Sequence, residues 1–79
     1  MKLWLTRRPN GYYLLTKWEP AIVRVGRTGH EDAYPQPGDP ASYNHMCPWA
    51  TKLLFSLDEE PQILTPIEVE LRGHVMQPS

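Results

Sequence analysis

Cysteine is all but missing from this chain. Cys47 stands alone, so no disulfide can form within it. No stretch reaches the ~18 apolar residues that a membrane-spanning helix needs. The opening Met1-Lys2-Leu3-Trp4-Leu5-Thr6-Arg7-Arg8 lacks the apolar run and small-residue cleavage site of a signal peptide. No internal repeat or low-complexity tract is visible, and there is no CxxC pair, HxxxH pair, glycine-rich phosphate loop or dinucleotide fingerprint. These absences point to a reducing, cytoplasmic setting without membrane association. They also remove the usual staples of a small domain. At 79 residues the chain buries a modest share of its surface. With disulfides excluded and metal ligands scattered, a homo-oligomer is the remaining source of extra stability.

Excess charge of one sign is also lacking, since the formal net charge is −1. The distribution is nevertheless uneven. Residues 1–27 hold six bases (Lys2, Arg7, Arg8, Lys17, Arg24, Arg27) and one acid, a balance of +5. Residues 28–79 hold two bases and eight acids, a balance of −6. Basic strands lying beside acidic ones explain this most simply. A bipolar surface that steers a charged partner is the sharper reading. Nucleic acid is not favoured as a partner, because its binding domains carry a clear positive excess.

Along the chain, residues 2–7 alternate, with Leu3 and Leu5 on one face of an expected strand. Asn10-Gly11 is a strong hairpin signal, and Tyr12 to Lys17 forms the return strand. Glu19-Pro20 interrupts it, and Ala21 to Val25 resumes as a third strand. Residues 26–40 carry six glycines and prolines and read as a long loop. Asp39-Pro40 has the chemistry of a helix start, which predicts a helix over 41–46. Pro48 breaks it or opens a second helix, in which Trp49, Leu53 and Leu57 lie on one stripe. Ile67 to Arg72 alternates and is a final strand, and residues 73–79 are a tail. The expected fold is one α+β domain over residues 1–72: a three-stranded N-terminal antiparallel meander plus a C-terminal strand, with one or two short helices on one face. The expected core holds Leu3, Leu5, Tyr13, Leu15, Val23, Val25, Trp49, Leu53, Leu54, Leu57, Val69 and Leu71.

Chemistry finds little purchase. His30, His45, Cys47 and His74 are too scattered for a zinc site, and His45-Met46-Cys47 is too short a spacing. Cys47 with His45 or His30 sketches a thiolate and base, but neighbouring side chains seldom align, and a free cysteine ordinarily packs as a small apolar group. Asp58-Glu59-Glu60 reads as a solvated run. Gly26-Arg27-Thr28-Gly29 could hold an anion through backbone N–H groups, and an ordinary turn explains it equally well. No cofactor or metal is implied, and no catalytic constellation is met.

Aromatic residues beside arginines are the more suggestive feature. Trp4, Trp18 and Tyr12 fall on the sheet face opposite the leucines, and Tyr34 and Tyr43 flank the proline-rich segment. With Arg7, Arg8, Arg24 and Arg27 they make a candidate contact surface. In general style the stretches Lys2-Leu3-Trp4-Leu5-Thr6-Arg7-Arg8, Glu31-Asp32-Ala33-Tyr34 and Pro37-Gly38-Asp39-Pro40 resemble small accessory proteins encoded by phages and prophages. That resemblance implies a non-enzymatic protein that binds a host protein or complex in the host cytoplasm, such as an inhibitor of a CRISPR effector. The expected binding residues are Trp4, Arg7, Arg8, Trp18, Arg24, Arg27 and Tyr34. In a variant of this reading the acidic half (Asp58, Glu59, Glu60, Glu68, Glu70) imitates nucleic acid. The alternative is an oligomeric binder of a nucleotide-like anion, with Arg24 or Arg27 on phosphate and Tyr34 or Trp18 stacking.

Overall fold

The computed structural model describes residues 2–27 and 29–70. Leu71, assigned to the core, and the expected tail over 73–79 lie outside the described residues. The elements run β1 (Lys2–Arg7), β2 (Tyr13–Thr16), β3 (Ala21–Val25), β4 (His30–Tyr34), β5 (Tyr43–Met46), α1 (Pro48–Phe55) and β6 (Ile67–Glu70). Among the described residues the fold is α+β, with two antiparallel sheets and one short helix. Four strands form a sheet in the order β5-β2-β1-β6, and β3 pairs with β4 in a separate hairpin. Among the described residues no helix is long and apolar enough to cross a membrane.

The Asn10-Gly11 hairpin forms as its residues dictate. Gly11 sits at φ 91°, which only glycine adopts cheaply. Asn10 Oδ1 accepts from Tyr12 N–H, and Arg8 N–H donates to Tyr12 O at 2.9 Å. The turn fixes the register Leu5 opposite Leu15 and Trp4 opposite Thr16. On the far side of β1, Leu3 meets Val69 and Leu5 meets Ile67. One sheet face therefore gathers Leu3, Leu5, Tyr13, Leu15, Ile67 and Val69, and Leu3, Leu5 and Tyr13 are buried there.

Three expectations need correction. The N-terminal meander is divided. After Pro20 the chain leaves the four-stranded sheet, and β3 pairs in register with β4, Ala21 opposite Tyr34 through Val25 opposite His30. The segment 26–40 is therefore only partly loop. Gly26 and Gly29, at φ 70° and 73°, turn the chain so that residues 30–34 pair back on β3. Residues 43–46 are a strand rather than a helix, and β5 takes the place beside β2 that the meander would have given to β3. Asp39 does satisfy free backbone N–H groups, but not those of a helix. Its carboxylate accepts from Lys17 N–H and Trp18 N–H at the end of β2, and from Ala41 N–H at 2.9 Å. It latches the β4–β5 connection onto the sheet.

The opposite face of the sheet is covered too. Thr6, Leu14 and Thr16 point away from the leucine face and are fully buried. Alternation alone would have left Leu14 wet. The β3–β4 hairpin is tied to this side through Arg8 and Asp32, and Ala33 of β4 is buried. Helix α1 serves the leucine face.

Candidate protein-binding surface

Helix α1 begins where Pro48 supplies a pre-set φ at the first helical position, with Cys47 as N-cap. Its inward residue is Thr51, not the apolar stripe. Thr51 can be buried because its hydroxyl donates to Cys47 O at 2.8 Å. At 100° per residue, Trp49 and Leu53 then fall on the outer crest. They are 68% and 77% exposed, which overturns their assignment to the core. Val23, also assigned there, is exposed on the hairpin, while Leu15, Val25, Leu54, Leu57 and Val69 are half-buried.

Between α1 and β5 lies a cleft of about 400 Å³ lined by Leu15, Tyr43, His45, Met46, Cys47, Ala50 and Leu54. Round the helix from cleft to crest the order is Leu54, Ala50, Leu53, Trp49, all apolar. Lys52 falls on the far flank, where its Nζ pairs with Glu60 at 3.2 Å. Tyr43, 57% exposed, extends the apolar area onto β5, an edge strand whose four residues carry no acid, lysine or arginine. Sheet edges usually carry such charges as protection. The other edge, β6, does carry them, as Glu68 and Glu70 beside a second cleft with Phe55 and Leu57.

The residues singled out from the sequence do not converge on one patch. Arg7 lies near the helix, its Nη2 3.4 Å from Glu60 and its Nη1 donating to Pro61 O. Arg8, on the opposite face, is engaged with Asp32 and donates to Asn44 O at 3.4 Å. Trp4 is half-buried in β1. Trp18 is exposed at the end of β2, and its carbonyl accepts from the Thr16 hydroxyl. Arg24, Arg27 and Tyr34 are exposed on the hairpin, outside the cleft lining. Part of the uneven charge along the chain is met within the fold, where Arg7 pairs with Glu60 and Arg8 with Asp32. Arg24 stands opposite Glu31, Lys2 opposite Glu70, and Glu60 meets both Arg7 and Lys52.

Two titrations follow from this network. The Arg8 guanidinium, hydrogen-bonded to Asp32, holds that carboxyl below its ordinary value against the opposing cost of burial. For Asp39 burial works upward, but the N–H groups of Trp18, Ala41 and Lys17 outweigh it and the net direction is down. The ring of His45 meets Tyr12 edge-on at 5.9 Å, which gives it a packing role beside Cys47. Among the described residues no cluster of three or more His, Cys, Asp or Glu could hold a metal.

Sequence reasoning missed the α1–β5 surface. The available signal was the Trp49/Leu53 spacing, which marks an apolar helix face without saying whether the chain covers it. Compared with known proteins, the chain matches no family model, no curated protein and no solved structure at a significant level.

Proposed function

We propose that this chain is a non-enzymatic binding protein that works by contact through the face formed by α1 and β5. The observation that carries the reading is the unbroken uncharged surface from the cleft over Leu53 and Trp49. Side chains this apolar and this exposed, gathered in one place, are characteristic of association sites. Trp and Tyr at its rim are the residue types that dominate contact energies. The finer form, carried by the sequence resemblance, is an inhibitor that lays this face on a bacterial immune effector such as a CRISPR complex. Imitation of nucleic acid by the acidic half draws less support, because one of its five carboxylates, Glu60, is already bridged by Arg7 and Lys52. The anion-binding alternative draws little, since the cleft is apolar and excludes Arg24 and Arg27.

The test is affinity capture from bacterial lysate with tagged wild type, Leu53→Asp and Arg24→Glu. A partner held by wild type and Arg24→Glu but lost from Leu53→Asp supports the reading. Loss from Arg24→Glu alone moves the contact to the hairpin and overturns it. Restored phage plating on a host with active CRISPR immunity tests the inhibitor form.

A further inference from the structure

We infer that Asn10 is a site of spontaneous deamidation, a covalent modification gated by the turn of the N-terminal hairpin. The turn is the exposed loop Pro9-Asn10-Gly11, closed by Arg8 N–H to Tyr12 O at 2.9 Å and by Gly11 N–H to Arg8 O at 3.0 Å. The attacking atom is the main-chain nitrogen of Gly11. It gives up its proton to solvent base and bonds to Cγ of Asn10. The Cγ–Nδ2 bond then breaks, and Nδ2 takes a proton back and leaves as ammonia. Water opens the resulting cyclic imide at either carbonyl. Opening at Cγ gives aspartate, and opening at the main-chain carbonyl gives isoaspartate. One water is consumed, one ammonia is released, and nothing is oxidised or reduced.

Three features select this residue. Gly11 has no side chain to obstruct the approach of its nitrogen. Asn10 Oδ1 accepts from Tyr12 N–H at 3.0 Å, so a donor already sits where negative charge develops as Cγ becomes tetrahedral. Asn10 and Gly11 are both exposed, so water and base reach them. The chain's other asparagine supplies the contrast. Asn44 is exposed too, but it lies in β5 and precedes His45, whose side chain crowds the nitrogen that would attack. The gate is the bond from Gly11 N–H to Arg8 O. It ties up the attacking nitrogen, which local opening of the turn must free. The modification also acts back on the fold. Isoaspartate routes the main chain through Cγ and lengthens the loop that sets the register of β1 against β2.

Peptide mapping by mass spectrometry tests the inference on the full chain incubated in mildly alkaline buffer. The peptide holding Asn10 should show the amide-to-acid mass change and resolve into aspartate and isoaspartate forms. In the folded chain this should run at least about tenfold faster than at Asn44, a barrier difference of about 1.4 kcal/mol. It should run faster still in the guanidinium-unfolded chain, where the gate is absent. Pro9→Gly removes the pre-set φ at the start of the turn and should shift the native rate toward the unfolded one, with circular dichroism checking that the fold is kept. Asn10→Gln should abolish the mass change. The purified isoaspartate form should melt below Asn10→Asp, which keeps the ordinary main chain. Asn10 reacting no faster than Asn44 in the folded chain overturns the site. Equal native and unfolded rates overturn the gate. An isoaspartate form that melts with Asn10→Asp overturns the effect on the fold.

Discussion

Arg8 and Asp32 form a two-pronged ion pair, Nε to Oδ1 at 3.1 Å and Nη2 to Oδ2 at 2.8 Å, that binds the β3–β4 hairpin to the sheet. The pair joins residues 24 apart in sequence, and the remaining Arg8 nitrogen reaches Asn44 O on β5. One guanidinium therefore fastens both the β3–β4 hairpin and β5 to the turn of the N-terminal hairpin. Its geometry is the planar, bidentate kind that lysine cannot reproduce. Side-chain exposures of 13% and 21% shield the pair from much of the solvent screening that weakens surface bridges.

Removing either partner should loosen the hairpin. Arg8→Ala or Asp32→Ala is expected to cost about 1.5–3 kcal/mol, the range for hydrogen bonds to charged groups. Arg24→Ala, on the exposed side of the hairpin, should stay within about 0.5 kcal/mol. Urea unfolding of the three variants checks this. The Arg8/Asp32 double variant should cost less than the sum of the singles, since the two share one interaction. Equal effects at Arg8 and Arg24 would remove the clamp from the account.

Acid should release the same contacts. Asp32 and Asp39 both have folded-state pKa values below their unfolded ones, near ~3.9 for aspartate. Such groups stabilise the fold fully above the unfolded value and lose that contribution as pH falls through the folded value. The melting temperature should therefore be flat from neutral pH down to roughly pH 5 and then drop. Asp32→Asn should be less stable at neutral pH and show a shallower acid limb. A limb as steep as wild type in the Asp32→Asn/Asp39→Asn double variant would assign acid sensitivity to other carboxylates.

The parts of the fold legible in the sequence are those set by local chemistry. Asn10-Gly11 dictates its own hairpin, and Ile67-Glu68-Val69-Glu70 alternates because β6 has one wet face. β4 was hidden because His30-Glu31-Asp32-Ala33-Tyr34 is polar. It is a strand because Gly26 and Gly29 turn it back on β3, and Asp32 has Arg8 to meet. β5 was hidden because Asp39-Pro40 carries the signature of a helix start, and a carboxylate that seeks free N–H groups finds them equally well at a strand end. The site was missed for a different reason. Periodicity shows that Trp49 and Leu53 share a face but cannot show which way the face turns, and Thr51, with its hydroxyl satisfied internally, takes the inward position.

Two buried threonines should respond in opposite directions. The Thr6 hydroxyl is buried with no hydrogen-bond partner among the described residues, whereas the Thr16 hydroxyl donates to Trp18 O at 2.7 Å. Replacing an unpaired hydroxyl by a methyl group of like shape removes a desolvation cost of about 1–3 kcal/mol without losing a bond. Thr6→Val is therefore expected to raise stability, and valine suits a strand. Thr16→Val should lower it by about 0.5–1.5 kcal/mol. Differential scanning calorimetry of the pair checks the signs. A destabilised Thr6→Val would show that the hydroxyl is bridged by water.

Helix α1 ends on a residue whose backbone suits glycine better than the serine present. Ser56 lies at φ 54°, ψ 49°, in the left-handed conformation, with its N–H bonded to Lys52 O. A side chain costs roughly 1–2 kcal/mol in that region, and part of the gain from its removal is offset by the greater freedom of glycine in the unfolded chain. Ser56→Gly is thus expected to stabilise by about 0.5–1 kcal/mol, and Ser56→Val to destabilise, in thermal unfolding. The consequence extends to function. Leu53 lies in the last turn, so a better-terminated helix holds the crest in place more of the time. Association through this face should tighten in Ser56→Gly and weaken in Ser56→Val, in step with helicity. Stability that changed without any change in association would place the contact energy on Trp49 and the first turn instead.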